Sequence, residues 1–469
     1  MIKIQNSMLK KMLTYFVGTL STRMLSVLLV PIYAYFVHSS DLGDYDYVTA
    51  VANIVMPIVY IVIWEAVLKF FIKEKDGKDI NSYITNVVVF YLMMSTLFIG
   101  VLGAFRIFVN TSNLWWMCAY SITLGAAYIW QFAARALGEN QRYVLSGVVS
   151  SAGLIVIDFG FVLFRQLDFV GLMIASIAAN AIVVILLEEK IRLASRVRLS
   201  SLRIDLLKSM LCFSMPLVIN NISLWMYSGG SKVIIQNYLG SVENGLYSFA
   251  SKFSILINIF STVISMAVIE EAYSYRTVDE YRIKMKKIIT IISKAYFSLV
   301  LLALPAIYIL YSIAFKKTEY YPSSDYIFLL LLSALFTALS NNFGSAFQVT
   351  NNTKYISITT IVGAVVALGI SLALVSRIGV FGVLIGTASG SAIMMVLRAL
   401  FAKRSTGLSV DWRENLCLGG LLIFEYFVLM SYKNLAGQFA VLLCAGLVLI
   451  FVYKKEIYII IKKIKTKGR

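Results

Sequence analysis

The chain has 469 residues, 59 % of them apolar and 14 % charged, against about 25 % charged in an ordinary soluble domain. With a mean hydropathy of +0.82, it cannot cover a water-exposed surface, which excludes a cytosolic enzyme, a secreted disulfide scaffold and a disordered protein. The net charge of +18 is assigned to loops rather than to a nucleic-acid surface, because no basic domain exists outside the apolar runs. The expected fold class is therefore an all-α polytopic membrane protein. The two-residue alternation of a β-barrel is absent, and five prolines in the whole chain leave long helices little interrupted.

About 20 apolar residues carry a helix across a bilayer. Fourteen such runs are read in chain order: 12–37, 46–71, 82–105, 114–134, 144–164, 169–187, 209–237, 245–271, 288–314, 324–349, 355–375, 380–401, 414–431 and 436–454. The first follows Lys3, Lys10 and Lys11 and is too long for a signal peptide, so it is expected to be a retained helix. With the N-terminus placed in the cytoplasm, thirty Lys and Arg fall on inner segments and six on outer ones. That asymmetry supports an even number of spans with both termini cytoplasmic. The longest loop, 188–208, is inner and basic, so no extramembrane catalytic domain is expected.

Cys118, Cys212, Cys417 and Cys444 lie in apolar runs without a C-x-x-C spacing and read as apolar filler. His38 is the single histidine. No metal site and no cofactor are expected.

The chain repeats itself. Gly43-Asp44-Tyr45 recurs as Gly245-Leu246-Tyr247, 202 residues on, each opening the second helix of a hairpin. Residues 168–186 align without gaps to 379–397. Spans one to six therefore resemble spans seven to twelve, as a parallel repeat of the kind that frames a substrate site between lobes. The expected domains are a six-helix lobe at 1–187, a basic linker at 188–208, a second lobe at 209–401, and two further spans with a basic tail at 402–469. The small residues of spans six and twelve, Ala175 to Ala179 and Gly386 to Gly390, read as packing surfaces.

Ionisable residues inside spans are costly and point to function by default. Arg23 lies mid-span, out of snorkelling reach, and reads as an anion-binding cavity residue, with a structural ion pair as the alternative. Lys232, just after Gly229-Gly230 where the helix is free to bend, and Lys252 in the next span are candidates for substrate contact, with outward snorkelling as the competing account. Lys294 and Arg398 sit near inner ends and read as snorkelling. Asp158 is a coupling-ion candidate. Glu65 is another, with an i,i+4 pair to Lys69 as its plainer reading. Asn341 and Asn342 are the most cavity-like of the intramembrane amides. Glu425, outside the repeat, has no assigned role.

Three features carry a family resemblance. They are the Lys-rich entry into a helix bearing Arg23, the turn Asp41-Leu42-Gly43-Asp44-Tyr45 echoed at 239–247, and the segment Phe213-Ser214-Met215-Pro216-Leu217 that opens the second half after a basic loop. The chain resembles the polysaccharide-exporter flippases, the Wzx-like O-antigen and capsule flippases of the MATE-like MOP superfamily. That resemblance implies two six-helix lobes working by alternating access in a bacterial inner membrane. Its implied substrate is an undecaprenyl-diphosphate-linked oligosaccharide, for O-antigen, capsule or exopolysaccharide. It also implies contact with membrane lipids and with polysaccharide polymerase or assembly partners, while coupling to H⁺ or Na⁺ stays open. Arg23, Lys232 and Lys252 would then face the diphosphate, and Asn341 and Asn342 the sugars. The alternatives are a peptidoglycan-precursor flippase, a MATE-type multidrug antiporter, whose cavity would be acidic, and a membrane polymerase or ligase, which would carry a large outer loop.

Overall fold

The computed structural model describes residues 29–74, 79–105, 113–164, 168–274, 277–350, 352, 354–410, 412–432 and 434–454. Helix α1 covers residues 29–36. Helices α2 (Ser39–Val59) and α3 (Ile63–Glu74) follow, then α4 (Ile80–Phe105), α5 (Asn113–Ala136), α6 (Asn140–Phe164), α7 (Phe169–Ile191), α8 (Ile204–Ser228) and α9 (Gly230–Leu239). The later helices are α10 (Ser241–Ser274), α11 (Val278–Leu310), α12 (Ile327–Val349), α13 (Lys354–Ile378), α14 (Val380–Thr406), α15 (Arg413–Ser431) and α16 (Leu435–Val452). No strand occurs among the described residues.

Nine of these helices are long and apolar enough to cross a bilayer, and α2 with α3, bent by 51°, makes a tenth. Four expected runs remain. Run 12–37 lies mostly outside the described residues. Runs 114–134 and 245–271 are covered by the long helices α5 and α10, and α15 is a shorter apolar helix. Exposed apolar side chains such as Val156, Ile185, Leu443 and Phe451 form the lipid-facing surface that a soluble protein would not tolerate.

Local chemistry sets the helix ends. Asp168 caps α7 by accepting from the Gly171 amide at 2.8 Å, Thr277 caps α11 and Asn434 caps α16, each satisfying an orphan N–H. At Arg192, φ 52°, the chain leaves α7, and the Glu188 carboxylate takes the amides of Leu193 and Ala194 and the Trp130 indole N–H. Two breaks matter for the site. Run 46–71 breaks at 60–62, where Ile61 and Val62 both adopt φ 50°, a costly region for β-branched residues. The fully buried Tyr60 anchors this kink. Its hydroxyl is 2.8 Å from Ser95 Oγ, and its ring fills the space that a Cβ on Gly125 would need. Run 209–237 breaks at Gly229, as the adjacent glycines predict, giving α8 and α9.

The chain divides into two compact units. Unit one, Met1–Ser248 with Ser371–Val383, has a core built around Tyr60, Ile63, Trp64, Phe71, Ile129 and Trp130. Unit two, Phe249–Ile370 with Leu384–Arg469, is centred on Tyr281, Met285, Phe343 and Phe347, with a ring cluster of Phe249, Tyr311, Phe315 and Tyr320. In unit two the small-residue stripe of α14 packs as expected. A Cβ on Gly390 would strike the Gly363 carbonyl and Ala367 of α13, the close backbone approach that small residues permit in lipid.

Candidate functional site

The site in unit one starts from the repeated glycines. Gly43 on α2 and Gly245 on α10 are packed against each other's turns. A Cβ on Gly43 would overlap the Ser241 carbonyl, and one on Gly245 would overlap the Ser39 carbonyl. The pairs Ser39/Ser241 and Gly43/Gly245 carry the same sequence offset, so the repeat read in the sequence is also a reciprocal backbone contact. Side chains tie it further. Asn244 Nδ2 donates to the Gly43 carbonyl at 2.8 Å. Asp44 Oδ1 accepts from Gln236 Nε2 at 2.7 Å and from Ser241 Oγ at 2.5 Å.

Half a turn beyond Asp44, Asp46 is 7 % exposed. Its Oδ2 accepts from Lys232 Nζ at 3.0 Å, an ion pair between residues 186 apart in sequence. Lys232 reaches it because α9 begins anew at Gly230. The preceding helix is pinned there by the Trp225 indole, whose N–H donates to the Ala50 carbonyl at 2.6 Å. Tyrosines surround the pair: Tyr33, Tyr45, Tyr120 and Tyr247 all lie within electrostatic reach of Asp46. Tyr45 is 2.7 Å from Ser176 Oγ. Tyr33 donates at 3.1 Å to Asp158, which is fully buried. Unit one thus gathers one lysine, two carboxyls and four phenols from α1, α2, α5, α6, α9 and α10. This patch can hold a cation or proton on its carboxyls, offer an ammonium to an anion, and offer hydroxyls to a polyol.

Lys232 and Asp158, both singled out in the sequence, are brought into this one neighbourhood by Asp46, Tyr33 and Tyr45. Glu65 is not part of it. It faces the charge of Arg135, and the expected Glu65–Lys69 pair gives way to a cation–π contact, with Lys69 Nζ 3.8 Å from the Phe213 ring centroid. Arg23 lies outside the described residues. Lys252 is half-buried on α10 in unit two.

Asn341 and Asn342, also in unit two, point apart. Asn341 is exposed and accepts from Arg398 Nη1 at 3.3 Å. Asn342 is buried, 3.5 Å from Ser265 Oγ. Arg398 and Lys294 do not snorkel. Arg398 is buried, and its guanidinium donates to Thr359 Oγ1 at 3.0 Å and Thr360 Oγ1 at 2.9 Å. The ammonium of Lys294 is 3.4 Å from the Val452 carbonyl and 4.7 Å from the Tyr453 ring centroid. Sequence reading missed Asp46 and the polar seat of Arg398. The available signal for Asp46 was Asp44-Tyr45-Asp46-Tyr47, two acids and two phenols entering a span. Among the described residues no group of three His, Cys, Asp or Glu is placed to hold a metal.

The helical architecture and the membrane-spanning composition define a multi-pass membrane protein with a polar patch on its apolar helices. The chain belongs to the family described as "Polysaccharide biosynthesis protein", whose profile matches residues 8–269. Solved structures share the fold. One described as "Lipid II flippase MurJ, inward closed conformation" matches with TM-score 0.69 and 12 % identity, over 95 % of this chain and all of that one. An inward-facing multidrug resistance MATE family transporter of the MOP superfamily matches with TM-score 0.59 and 18 % identity, over 82 % of this chain and 98 % of that one. A MATE in complex with MaL6 matches at TM-score 0.56 and 16 % identity, covering 84 % and 95 %. Against curated protein sequences the chain finds no significant match. The chain is therefore a multi-pass membrane protein of this polysaccharide-biosynthesis family, with the fold that these solved transporters share.

Proposed function

We propose that the protein flips an undecaprenyl-diphosphate-linked oligosaccharide from the inner to the outer leaflet of a bacterial cytoplasmic membrane, for O-antigen, capsule or exopolysaccharide assembly. Both termini are cytoplasmic in this reading. The lobes 1–187 and 209–401, joined by the basic linker 188–208, alternate in access around the substrate. The observation that carries it is the Lys232–Asp46 pair, set among tyrosines in a chain of the polysaccharide family. Lys232 is held by an intramembrane counter-ion, so an incoming diphosphate has to replace Asp46 as its partner. An anion that does so recovers a charge-assisted hydrogen bond in a low-dielectric site. Asp46, left without Lys232, then takes up a proton or a cation, with the Tyr33-bound Asp158 beside it, and this supplies a route for H⁺ or Na⁺ coupling. The phenols match sugar hydroxyls, and Arg23, Lys252, Asn341 and Asn342 are further contacts along the path. Membrane lipids accommodate the polyprenyl chain, and polymerase or assembly partners take the product.

The likeness to a lipid II flippase over 95 % of this chain favours one second reading, a peptidoglycan-precursor flippase, in which the same lysine meets the same diphosphate. A multidrug cation antiporter fits less well, since Asp46 is already neutralised by Lys232. The test uses proteoliposomes holding a fluorophore-tagged polyprenyl-diphosphate oligosaccharide and a quencher that cannot cross the bilayer. The expected result is protein-dependent loss of the protected fraction, slowed about tenfold or more by Lys232→Met, a loss of roughly 1.4 kcal/mol of binding. Flipping no faster than in empty vesicles would overturn the reading. Equal flipping of tagged lipid II would favour the second one.

A further inference from the structure

Glu425 has no part in the site above. It lies on α15 in unit two, 6 % exposed, and neither of its carboxyl oxygens has a hydrogen-bond partner. It lines a cavity of about 450 Å³ formed by α11, α15 and α16. The walls include Leu301 of α11, Leu421 and Val428 of α15, and Val441, Ala445 and Val448 of α16. The other titratable lining groups are Tyr432 and Cys444.

The volume is that of a small-molecule pocket, apolar with one convergent polar group. A carboxyl without a donor in hydrocarbon walls is either protonated or matched by a cation. A purely hydrocarbon occupant fills the space and leaves the carboxyl unmatched. A sugar leaves the walls unmatched. A molecule with an apolar body and an ammonium group matches both.

We propose that this cavity is a binding site for a lipophilic amine, its hydrocarbon part among the side chains of α11, α15 and α16 and its ammonium paired with Glu425. The site is separate from the diphosphate reading, and its test needs no transport.

The full-length protein in phosphatidylcholine nanodiscs is treated with dicyclohexylcarbodiimide, an apolar reagent for protonated intramembrane carboxyls. The acid O–H adds across one C=N bond, and the O-acylisourea rearranges to a stable N-acylurea with nothing leaving. Peptide mass spectrometry reads the adduct at residue 425. The expected result is labelling at Glu425 that dodecylamine slows about tenfold at a concentration where dodecanol slows it less than about twofold, tenfold being one decade of occupancy. Leu421→Trp, which fills the cavity and keeps the carboxyl, is expected to lower both labelling and protection, and Glu425→Gln to remove the adduct from that peptide. Equal protection by the alcohol and the amine would overturn the proposal in favour of a groove for hydrocarbon chains. Absence of labelling at Glu425, or labelling untouched by dodecylamine, would also overturn it.

Discussion

Removing Lys232 while keeping Asp46 is the sharpest perturbation of the candidate site. At 3.0 Å and an effective dielectric of about 20, the gross attraction is roughly 5 kcal/mol. Taking both charges out of water costs several kcal/mol per ion, so the intact pair is close to neutral against an apolar replacement. The single substitutions are different, because each removes one member of the pair and leaves the other charge in place. Asp46 is the more enclosed partner, with 10 % of its side chain exposed against 23 % for Lys232. Lys232→Met is therefore expected to destabilise by about 3 kcal/mol. Asp46→Asn, which leaves a longer and more accessible ammonium, is expected to cost about 1–2 kcal/mol. The double variant should return to within about 1 kcal/mol of the parent, a strongly coupled cycle. Unfolding in mixed detergent–dodecyl sulfate micelles, followed by tryptophan fluorescence, reads all four proteins. A double variant as unstable as the sum of the singles would refute the argument, since the two groups would then be acting independently.

Other consequences follow from single contacts. Gly43→Ala and Gly245→Ala each push a Cβ into a partner carbonyl and should each lower stability by about 1–3 kcal/mol. Gly100→Ala, with open space around it, should instead stabilise by about 0.5–1 kcal/mol, and the same micelle titration compares them. Arg398→Lys keeps the charge but loses the planar fork that spans Thr359, Thr360 and Asn341. A loss of about 1.5–3 kcal/mol is expected, and an unchanged midpoint would contradict it. Tyr33→Phe removes the phenol that donates to buried Asp158 and should cost about 1–3 kcal/mol, whereas Asp158→Asn, which still accepts from Tyr33, should cost less.

Much of the architecture is legible in the sequence because the bilayer imposes one rule on every span: enough apolar residues in a row, with backbone groups satisfied within a helix. The break within span seven was legible too, since Gly229-Gly230 announces it. The kink at 60–62 was not. Ile61 and Val62 are poor residues for the left-handed region, and only the packing of Tyr60 against Gly125 and Ser95 places them there. The repeated glycines gave the reciprocal contact of Gly43 and Gly245 its signal. The ion pair had none, because Asp46 sits where an apolar run begins and reads as a boundary residue, and its partner is on the far side of α8. Depth along a span also misled for Lys294 and Arg398. Snorkelling is the cheapest outcome for a lone helix, but neighbours here supply Tyr453, Thr359 and Thr360 as polar seats. Asn341 and Asn342 part for a simple reason: consecutive residues on a helix point about 100° apart.

The most direct test of the flippase account is the sidedness of the lipid-linked glycan in cells depleted of this protein. A glycan-reactive label that cannot cross the membrane is applied to intact and to opened cells. The account predicts accumulated undecaprenyl-diphosphate oligosaccharide that is labelled only after the cells are opened, held on the cytoplasmic leaflet. Accumulated glycan that is labelled equally in intact cells would place the defect after translocation and contradict it.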